Sequence, residues 1–130
     1  PHEMKFNLPN IIKRIEGLHT LSIPFTHKEI DEVVRTMPND RAPGPDGFNG
    51  HFLKSCWHII KQDFYRLCEE FYTGNLNLTS INSGYITLIP KKDGAECISD
   101  FRPISLIHAI AKIIAKMMAT RLAPHMQSLV

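Results

Sequence analysis

The sequence lacks the features of disulfide-stapled and membrane-spanning proteins. It has three cysteines, which cannot all pair within one chain, and none lies at C-x-x-C spacing. Cys56 and Cys68 lie in apolar helical patterns, so we expect reduced core cysteines in an intracellular protein, nuclear or cytoplasmic. The longest apolar run, at residues 110–119, is interrupted by Lys112 and Lys116 and is shorter than the roughly 20 residues of a membrane span, so we expect no membrane partner.

Motifs that mark a catalytic or metal-binding centre are missing as well. No histidines stand at H-E-x-x-H spacing, no Cys/His cluster suggests zinc, and local context indicates no Ser/His/Asp arrangement. A metal-dependent phosphoryl transferase needs carboxylates that hold two ions about 4 Å apart. Asp46, Asp63 and Asp100 lie in separate motifs instead. The sequence therefore offers no catalytic residue, no metal ligand and no cofactor of its own.

Composition and charge are those of one folded domain with an uneven charge distribution. The 130 residues are 43% hydrophobic and 22% charged, and the net charge is +2. Residues 1–75 carry nine basic and ten acidic side chains, whereas residues 76–130 carry six and three. An anionic partner is therefore expected to meet the second half of the chain.

The ends of the sequence carry weak structural signals. Residues 1–25 show no sustained periodicity and are interpreted as a loosely structured lead-in, with a helical turn or two at residues 11–15. The sequence begins with Pro1 rather than methionine and ends on the apolar Val130, so we expect either an internal piece of a longer protein or a truncated reading frame.

Three helical patterns follow. Thr26 and Glu29 stand at capping-box spacing before a helix predicted at about 27–37. Apolar residues at helical spacing predict one helix, or two with a bend near Trp57, over 48–72, with Gly74 as its C-terminal cap. A last helix is predicted from about 107 to 122.

Two short extended segments lie before the last helix. Residues 85–89 are β-branched and aromatic, and Lys91–Gly94 ends in the Asp-Gly pair typical of hairpins. Residues 100–106 form the returning segment, where Pro103 indicates an edge or the start of a strand. The predicted fold class is α+β, mostly helical with a short antiparallel hairpin.

Three motifs stand out against this background. The first is a stiff loop that could admit a phosphate backbone, although a structural connection whose Asp46 caps the following helix is favoured, because a P-loop lysine is missing. It comprises Pro43, Gly44, Pro45, Asp46 and Gly47. The second is Lys91-Lys92, which could neutralise phosphates but, taken alone, is better explained as a solvated turn. The third is residues 100–106, where Arg102 either binds phosphate or pairs with Asp100 on the surface, and the two readings are evenly balanced.

The order and spacing of the three motifs resemble the N-terminal part of the reverse transcriptase of plant LINE-type (non-LTR) retrotransposons. The resemblance is carried by Ala-Pro-Gly-Pro-Asp-Gly-Phe at 42–48, Ile-Thr-Leu-Ile-Pro-Lys-Lys at 86–92, Asp-Phe-Arg-Pro-Ile-Ser-Leu at 100–106 and Lys-Ile-Ile-Ala-Lys at 112–116. It covers the chain from about Phe25 onward. It implies a right-hand polymerase, of which residues 26–130 would form the fingers and the first palm helix, an incomplete domain.

The resemblance also implies roles for individual residues. Arg102 and Lys91 would contact the incoming nucleotide. Lys91, Lys92 and the loop at 43–47 would contact nucleic acid. The complete protein would use an RNA template, a DNA primer, dNTPs and Mg²⁺ to carry out RNA-directed DNA synthesis.

The chain departs from this family in one respect that decides its chemistry. The family's metal-binding carboxylates lie in a Phe-x-x-x-Asp segment and a Tyr/Phe-Ala-Asp-Asp hairpin, and neither occurs in the 130 residues. We therefore expect no polymerase activity from this chain alone, which primer extension on a primed RNA template tests. The alternatives to an enzyme fragment are a non-catalytic nucleic-acid-binding module and a decayed transposon remnant without function.

The resemblance carries an expectation for stability too. The hairpin and the last helix of the family pack on palm strands that this chain lacks. The apolar residues Ile110, Ile114, Met117 and Leu122 are therefore expected to lack a complete partner surface, and the fragment is expected to be marginally stable or to self-associate.

Overall fold

Polar caps determine where the helices begin and end. The computed structural model describes residues 17–126. Helix α1 is His27–Thr36, and the predicted capping box is present: the backbone N–H of Glu29 donates to Thr26 Oγ1, and that of Thr26 donates to Glu29 Oε2. Helix α2 is Gly50–Thr73 and begins two residues later than predicted, because Asn49 Oδ1 accepts from the backbone N–H of Phe52.

The remaining elements are short except for the last helix. They are α3 at Leu78–Ile81, strand β1 at Gly84–Pro90, strand β2 at Phe101–Ile107 and helix α4 at Ala109–Leu122. Three 3-10 turns lie at Leu18–Ser22, Ile98–Asp100 and Ala123–His125. Helices account for 58% of the described residues and the strands form one antiparallel hairpin, so the predicted fold class is confirmed.

Helix α2 is one continuous helix rather than two. Trp57 lies inside it, and the chain leaves it at Gly74, whose φ of 76° is the left-handed conformation that glycine adopts readily. Its 24 residues give it a length of about 36 Å. The predicted cap at Gly74 is confirmed, and of the two alternatives the single helix is the one observed.

The core lies where α1, α2 and α4 meet. Each helix contributes one apolar face at helical spacing. The buried residues are Ile30, Val33, Val34, Leu53, Phe64, Tyr65, Cys68, Ala109, Ile110, Ile113, Ile114 and Met117. Burial raises the pKa of the Cys68 thiol to about 11, so Cys68 is an inert core residue as predicted. Cys56 is partly buried, Cys97 is exposed, and all three cysteines are free.

A carboxylate on α1 joins α1 to α2. Asp31 Oδ1 accepts hydrogen bonds from Trp57 Nε1 at 2.7 Å and from the Tyr65 hydroxyl at 2.6 Å. Burial, followed by this hydrogen bond, raises the pKa of Tyr65 to about 12. The ring of His27 stacks on that of Tyr65 at 3.8 Å between centroids.

An ion pair joins the end of α4 to the beginning of α1. The Arg121 guanidinium donates to both carboxylate oxygens of Glu29, at 2.7 and 2.8 Å, and to the carbonyls of Ile23 and Pro24. It also lies 4.7 Å from the centre of the Phe25 ring. One arginine thus fixes the chain entering α1 against the last turn of α4.

The burial of α4 corrects one expectation from the sequence. Ile110, Ile114 and Met117 are buried against α1 and α2, so the prediction that they lack a partner surface was wrong. Leu122 is 39% exposed. The helix faces the other two helices of this chain, which is why it needs no further element to bury these side chains.

The hairpin exposes a large share of its apolar side chains. Strand β1 pairs with β2 from Gly84 opposite Ile107 to Pro90 opposite Phe101, and every residue of β1 is exposed. The predicted strands and the edge position of Pro103 are confirmed. The connection is longer than a tight turn, because the chain passes Gly94 at φ 70° and a 3-10 turn before β2 begins.

The N-terminal lead-in lies mostly outside the described residues. The helical turns predicted at 11–15 fall there, and the 3-10 turn at Leu18–Ser22 precedes α1. The division into a lead-in and a domain at residue 25 stays a prediction. In the described part of the chain no helix has the length and apolar character needed to cross a membrane.

Acid is predicted to weaken the contact between α1 and α4. The Arg121 hydrogen bond, ahead of the capping hydrogen bonds, lowers the pKa of Glu29 from 4.5 to about 2. A lowered folded-state pKa stabilises the fold above about pH 4.5, and this contribution is lost as the pH falls toward 2. Since the Glu29 side chain is 35% exposed, we expect about 1–2 kcal/mol after solvent screening.

Urea unfolding near pH 6 and near pH 3 measures this contribution. Glu29→Gln should lower stability near pH 6 and flatten the acid dependence. Glu32→Gln is the control, because the Glu32 carboxylate pairs with Arg35 on the open surface. Equal acid dependence in the wild type and Glu29→Gln would contradict the assignment.

Candidate nucleic-acid interface

The loop of the first motif packs against the root of the hairpin. A Cβ atom on Gly44 would lie 2.2 Å from the carbonyl oxygen of Ile107, so only glycine allows this approach. The backbone N–H of Gly47 donates to the Gly44 carbonyl at 3.0 Å, and Gly47 itself has a φ of 74°. Pro43 and Pro45 restrict the backbone on either side of Gly44. The loop is therefore a shaped wall beside the strands.

Asp46 caps a helix, but not the helix that the sequence predicted. Its Oδ2 accepts from the backbone N–H of Ala109, the first residue of α4, while its Oδ1 accepts from the backbone N–H of Phe48 at 3.2 Å. Asn49 caps the following helix instead. The carboxylate lies at the positive end of α4, where a negative charge is stabilising. Asp46 therefore caps a helix, as predicted, but that helix is α4 and not the one that follows the loop.

A second contact fixes the loop to α4. Lys112, one turn further along α4, donates from Nζ to the carbonyl oxygen of Ala42 at 3.0 Å. The loop motif at residues 42–48 therefore contacts the junction of β2 and α4 and the basic segment at 112–116.

A groove of about 760 Å³ opens beside this junction. Its walls are the end of α1, the segments on either side of the loop at 43–47, one face of the hairpin and the first turns of α4. Three basic residues, Arg41, Lys112 and Lys116, line it, with Asp40 as the one acidic residue among the described lining residues. The hairpin contributes an apolar wall made by Ile89, Ile104 and Leu106. The groove thus combines cations with flat apolar surface.

Arg102 lies on the same hairpin face as this apolar wall, but it is not among the residues that line the groove. It pairs directly with Ile89 across the strands, and alternation along β2 places it on one face with Ile104 and Leu106. The side chain is exposed and makes no hydrogen bond or ion pair with any residue between 17 and 126. The alternative pairing with Asp100 was wrong, because Asp100 pairs with Lys92.

The two lysines at the tip of the hairpin contact their own connection. Lys91 Nζ donates to the Ser99 carbonyl at 2.8 Å, and Lys92 Nζ lies 2.9 Å from Asp100 Oδ1. The hydrogen bond from Lys92, ahead of that from the Cys97 backbone, lowers the pKa of Asp100. Both ammonium groups are thus partly satisfied within the tip, whereas Arg102 is not. Their contacts with nucleic acid stay predictions.

The structure also gathers a Ser/His/Asp cluster that local sequence context did not indicate. His108 Nε2 lies 3.2 Å from Ser83 Oγ, and its Nδ1 lies 3.7 Å from Asp46 Oδ2. The second distance is too long for a hydrogen bond, and both Asp46 oxygens already accept backbone N–H groups. The cluster therefore joins the beginning of the hairpin to the loop, and it does not have the geometry of a nucleophilic triad.

The described part of the chain offers no group of side chains that could bind a metal ion. Between residues 17 and 126 no three His, Cys, Asp or Glu side chains gather into a possible metal site. The arrangement suits an anion with flat apolar groups attached, the chemical description of a nucleotide chain.

Comparison with known proteins indicates where the sequence comes from. No family model matches the chain. It is 37% identical over 111 residues to the transposon TX1 uncharacterized 149 kDa protein of Xenopus laevis. The aligned stretch is 85% of this chain and 8% of that protein, so the chain spans a small part of its relative. The similarity indicates a transposon-derived sequence.

The contact between Asp46 and α4 generates a stability prediction. Asp46→Ala removes a cap and leaves partly buried N–H groups without their acceptor, so we expect a loss of about 1–2 kcal/mol in urea unfolding. Asp93→Ala, in the exposed tip of the hairpin, is the matched control and should change stability by less than about 0.5 kcal/mol. Equal effects of the two substitutions would show that Asp46 does not hold the junction.

Proposed function

We propose that this chain is the fingers part of the reverse transcriptase of a LINE-type retrotransposon of the plant kind. In this role it holds the RNA template and the incoming nucleotide and contributes no catalytic carboxylate. The observation that carries the proposal is the convergence of the loop at 42–48, the hairpin strands and the start of α4 on one cation-lined groove. The similarity to a transposon protein supports it independently.

Charge supports an anionic ligand. Lys112 and Lys116 lie one turn apart along α4 and both line the groove, and Arg41, just before the loop, lines it too. Arg102 is exposed on the hairpin face next to the groove and has no partner among residues 17–126. Its planar guanidinium can donate two parallel hydrogen bonds to a phosphate. A phosphate chain running from Arg102 toward Lys116 would meet cations along its path.

The apolar wall supports a nucleotide rather than a simple anion. Ile89, Ile104 and Leu106 present aliphatic surface beside the cations. Bases and sugars have apolar faces that gain from such contact, whereas inorganic phosphate does not. A groove of about 760 Å³ falls within the range of small-ligand sites.

The proposed roles divide between the two ends of the groove. Arg102, with Lys91 at the hairpin tip, takes the triphosphate of the incoming dNTP. The loop at 43–47 guides the template past the root of the hairpin, with Lys92 as a further backbone contact. The described residues offer no set of carboxylates for Mg²⁺. In this proposal Mg²⁺ binding belongs to the Phe-x-x-x-Asp and Ala-Asp-Asp segments of the family's complete polymerase.

A non-catalytic nucleic-acid-binding module is the second candidate. It rests on the same groove, because Arg41, Lys112 and Lys116 would bind a phosphate backbone without any catalytic carboxylate. The two candidates differ in whether a longer protein that includes this segment extends a primer. A remnant without function is the reading that remains if the chain binds no nucleic acid.

Binding of a single-stranded RNA oligonucleotide at several salt concentrations tests the proposal. Arg102→Ala should weaken binding about 5-fold and reduce the slope of log K against log salt by about 0.7, because one phosphate contact is lost. Lys112→Ala should weaken binding too, although it also removes the hydrogen bond to Ala42. Arg66→Ala is the matched control, since Arg66 is exposed on α2 and pairs only with Asp63 among the described residues.

The outcomes separate cleanly. A loss in Arg102→Ala and none in Arg66→Ala supports the groove as the binding site. Equal losses in both would indicate diffuse electrostatic attraction. Wild-type binding that does not respond to salt would contradict a phosphate-binding site altogether.

A further inference from the structure

The two edges of the hairpin differ in what they offer another strand. Antiparallel pairing alternates between residues whose backbone groups point at the partner strand and residues whose groups point away. The Lys91 N–H donates to the Asp100 carbonyl, so this pair is directed inward. Counting back along β1, Gly84, Ile86 and Leu88 direct their N–H and C=O groups outward.

The outer edge of β2 is closed to a further strand. By the same alternation Pro103, opposite Leu88, is an outward position, and proline has no N–H to offer. The carbonyl of Ile107, another outward position, lies against Gly44, where a Cβ would be 2.2 Å away. Proline and a covering loop are two of the ways in which proteins protect edge strands.

The outer edge of β1 is less protected, because its one proline, Pro90, is the last residue of the strand rather than a central one. Strand β1 has no charged residue, and every residue of it is exposed. Ile86, at the middle of the edge, is 73% exposed. The hairpin is the whole sheet within the described residues, and two-stranded sheets are marginally stable in water. An uncharged open edge on such a sheet favours addition of another strand.

We propose that β1 is a self-association edge, which pairs with β1 of a second copy of this chain. The pairing is antiparallel about a two-fold axis at Thr87, and it joins the two hairpins into one four-stranded sheet. Ile86 then exchanges backbone hydrogen bonds with Leu88 of the second copy, and the Gly84 N–H meets the Pro90 carbonyl of the second copy.

A second copy suits this edge because the edge is complementary to itself. In the two-fold register Ile86 packs beside Leu88, Tyr85 beside Ile89, and Thr87 beside Thr87, which are favourable cross-strand pairs. Lys91 falls opposite Ser83 of the second copy, so the register brings no like charges together. The surface removed from water is smaller than the roughly 800 Å² per partner of stable complexes, so we expect a weak dimer.

Analytical ultracentrifugation of the 130-residue chain between about 1 and 200 µM tests the edge, a range that spans the affinities expected of small interfaces. We expect the wild type to shift from monomer to dimer mass. Ile86→Lys places a charge on the edge and should remain monomeric. Ile98→Lys makes the same chemical change at an 83% exposed site outside both strands and should dimerise as the wild type does.

Cross-linking tests the register and does not depend on the lysine variants. In a Cys97→Ser background, Thr87→Cys should form an intermolecular disulfide, because residues facing each other at this kind of pair have Cα atoms about 4.5 Å apart. Ile89→Cys should not, because four residues of offset separate its two copies by about 13 Å. A monomeric wild type throughout the range, or equal association of Ile86→Lys and Ile98→Lys, would overturn the proposal.

Discussion

The carboxylate of Asp46 at the N-terminus of α4 is the contact on which the groove depends. It accepts the first N–H of α4 and the N–H of Phe48, so it fixes the beginning of one helix and the shape of the loop before another. Gly44 lets the loop approach the last carbonyl of β2, and Lys112 closes the contact from the side of α4. Because β2 runs directly into α4, the direction of the hairpin follows from this junction.

The rest of the chain holds that junction in place. Helices α1, α2 and α4 bury one shared core, and the Glu29–Arg121 pair fixes the far end of α4 against α1. The hairpin projects from this base with both faces largely exposed, and it carries the Arg102 side chain. Because the hairpin contributes no residue to the helical core, it can contact a large ligand without disturbing that core. The same exposure leaves the outer edge of β1 open to a second copy.

Local signals in the sequence predicted the elements, and long-range contacts escaped them. The Thr26–Glu29 capping box, the apolar periodicity of α2 and α4 and the β-branched residues of β1 act within a few residues of chain, so they could be recognised. The partner of Asp46 lies 63 residues away, and that of Lys112 lies 70 residues away. The residues around Asp46 are the same whether its side chain caps the next helix or a distant one, so the sequence near Asp46 does not identify the helix. The burial of Ile110 and Ile114 was missed for the same reason, since it depends on where α1 and α2 lie.

Nucleic-acid binding in the groove between the hairpin and α4 can be located residue by residue. A uniformly ¹⁵N-labelled chain is titrated with a short single-stranded RNA while the amide chemical shifts are followed. We expect the largest shifts at Arg41, Ile104, Lys112 and Lys116 of the groove and at Arg102 beside it, with little change at Ile59 and Arg66 on the exposed side of α2. Shifts concentrated on α2, or no shifts at RNA concentrations that saturate binding in solution, would contradict binding in the groove.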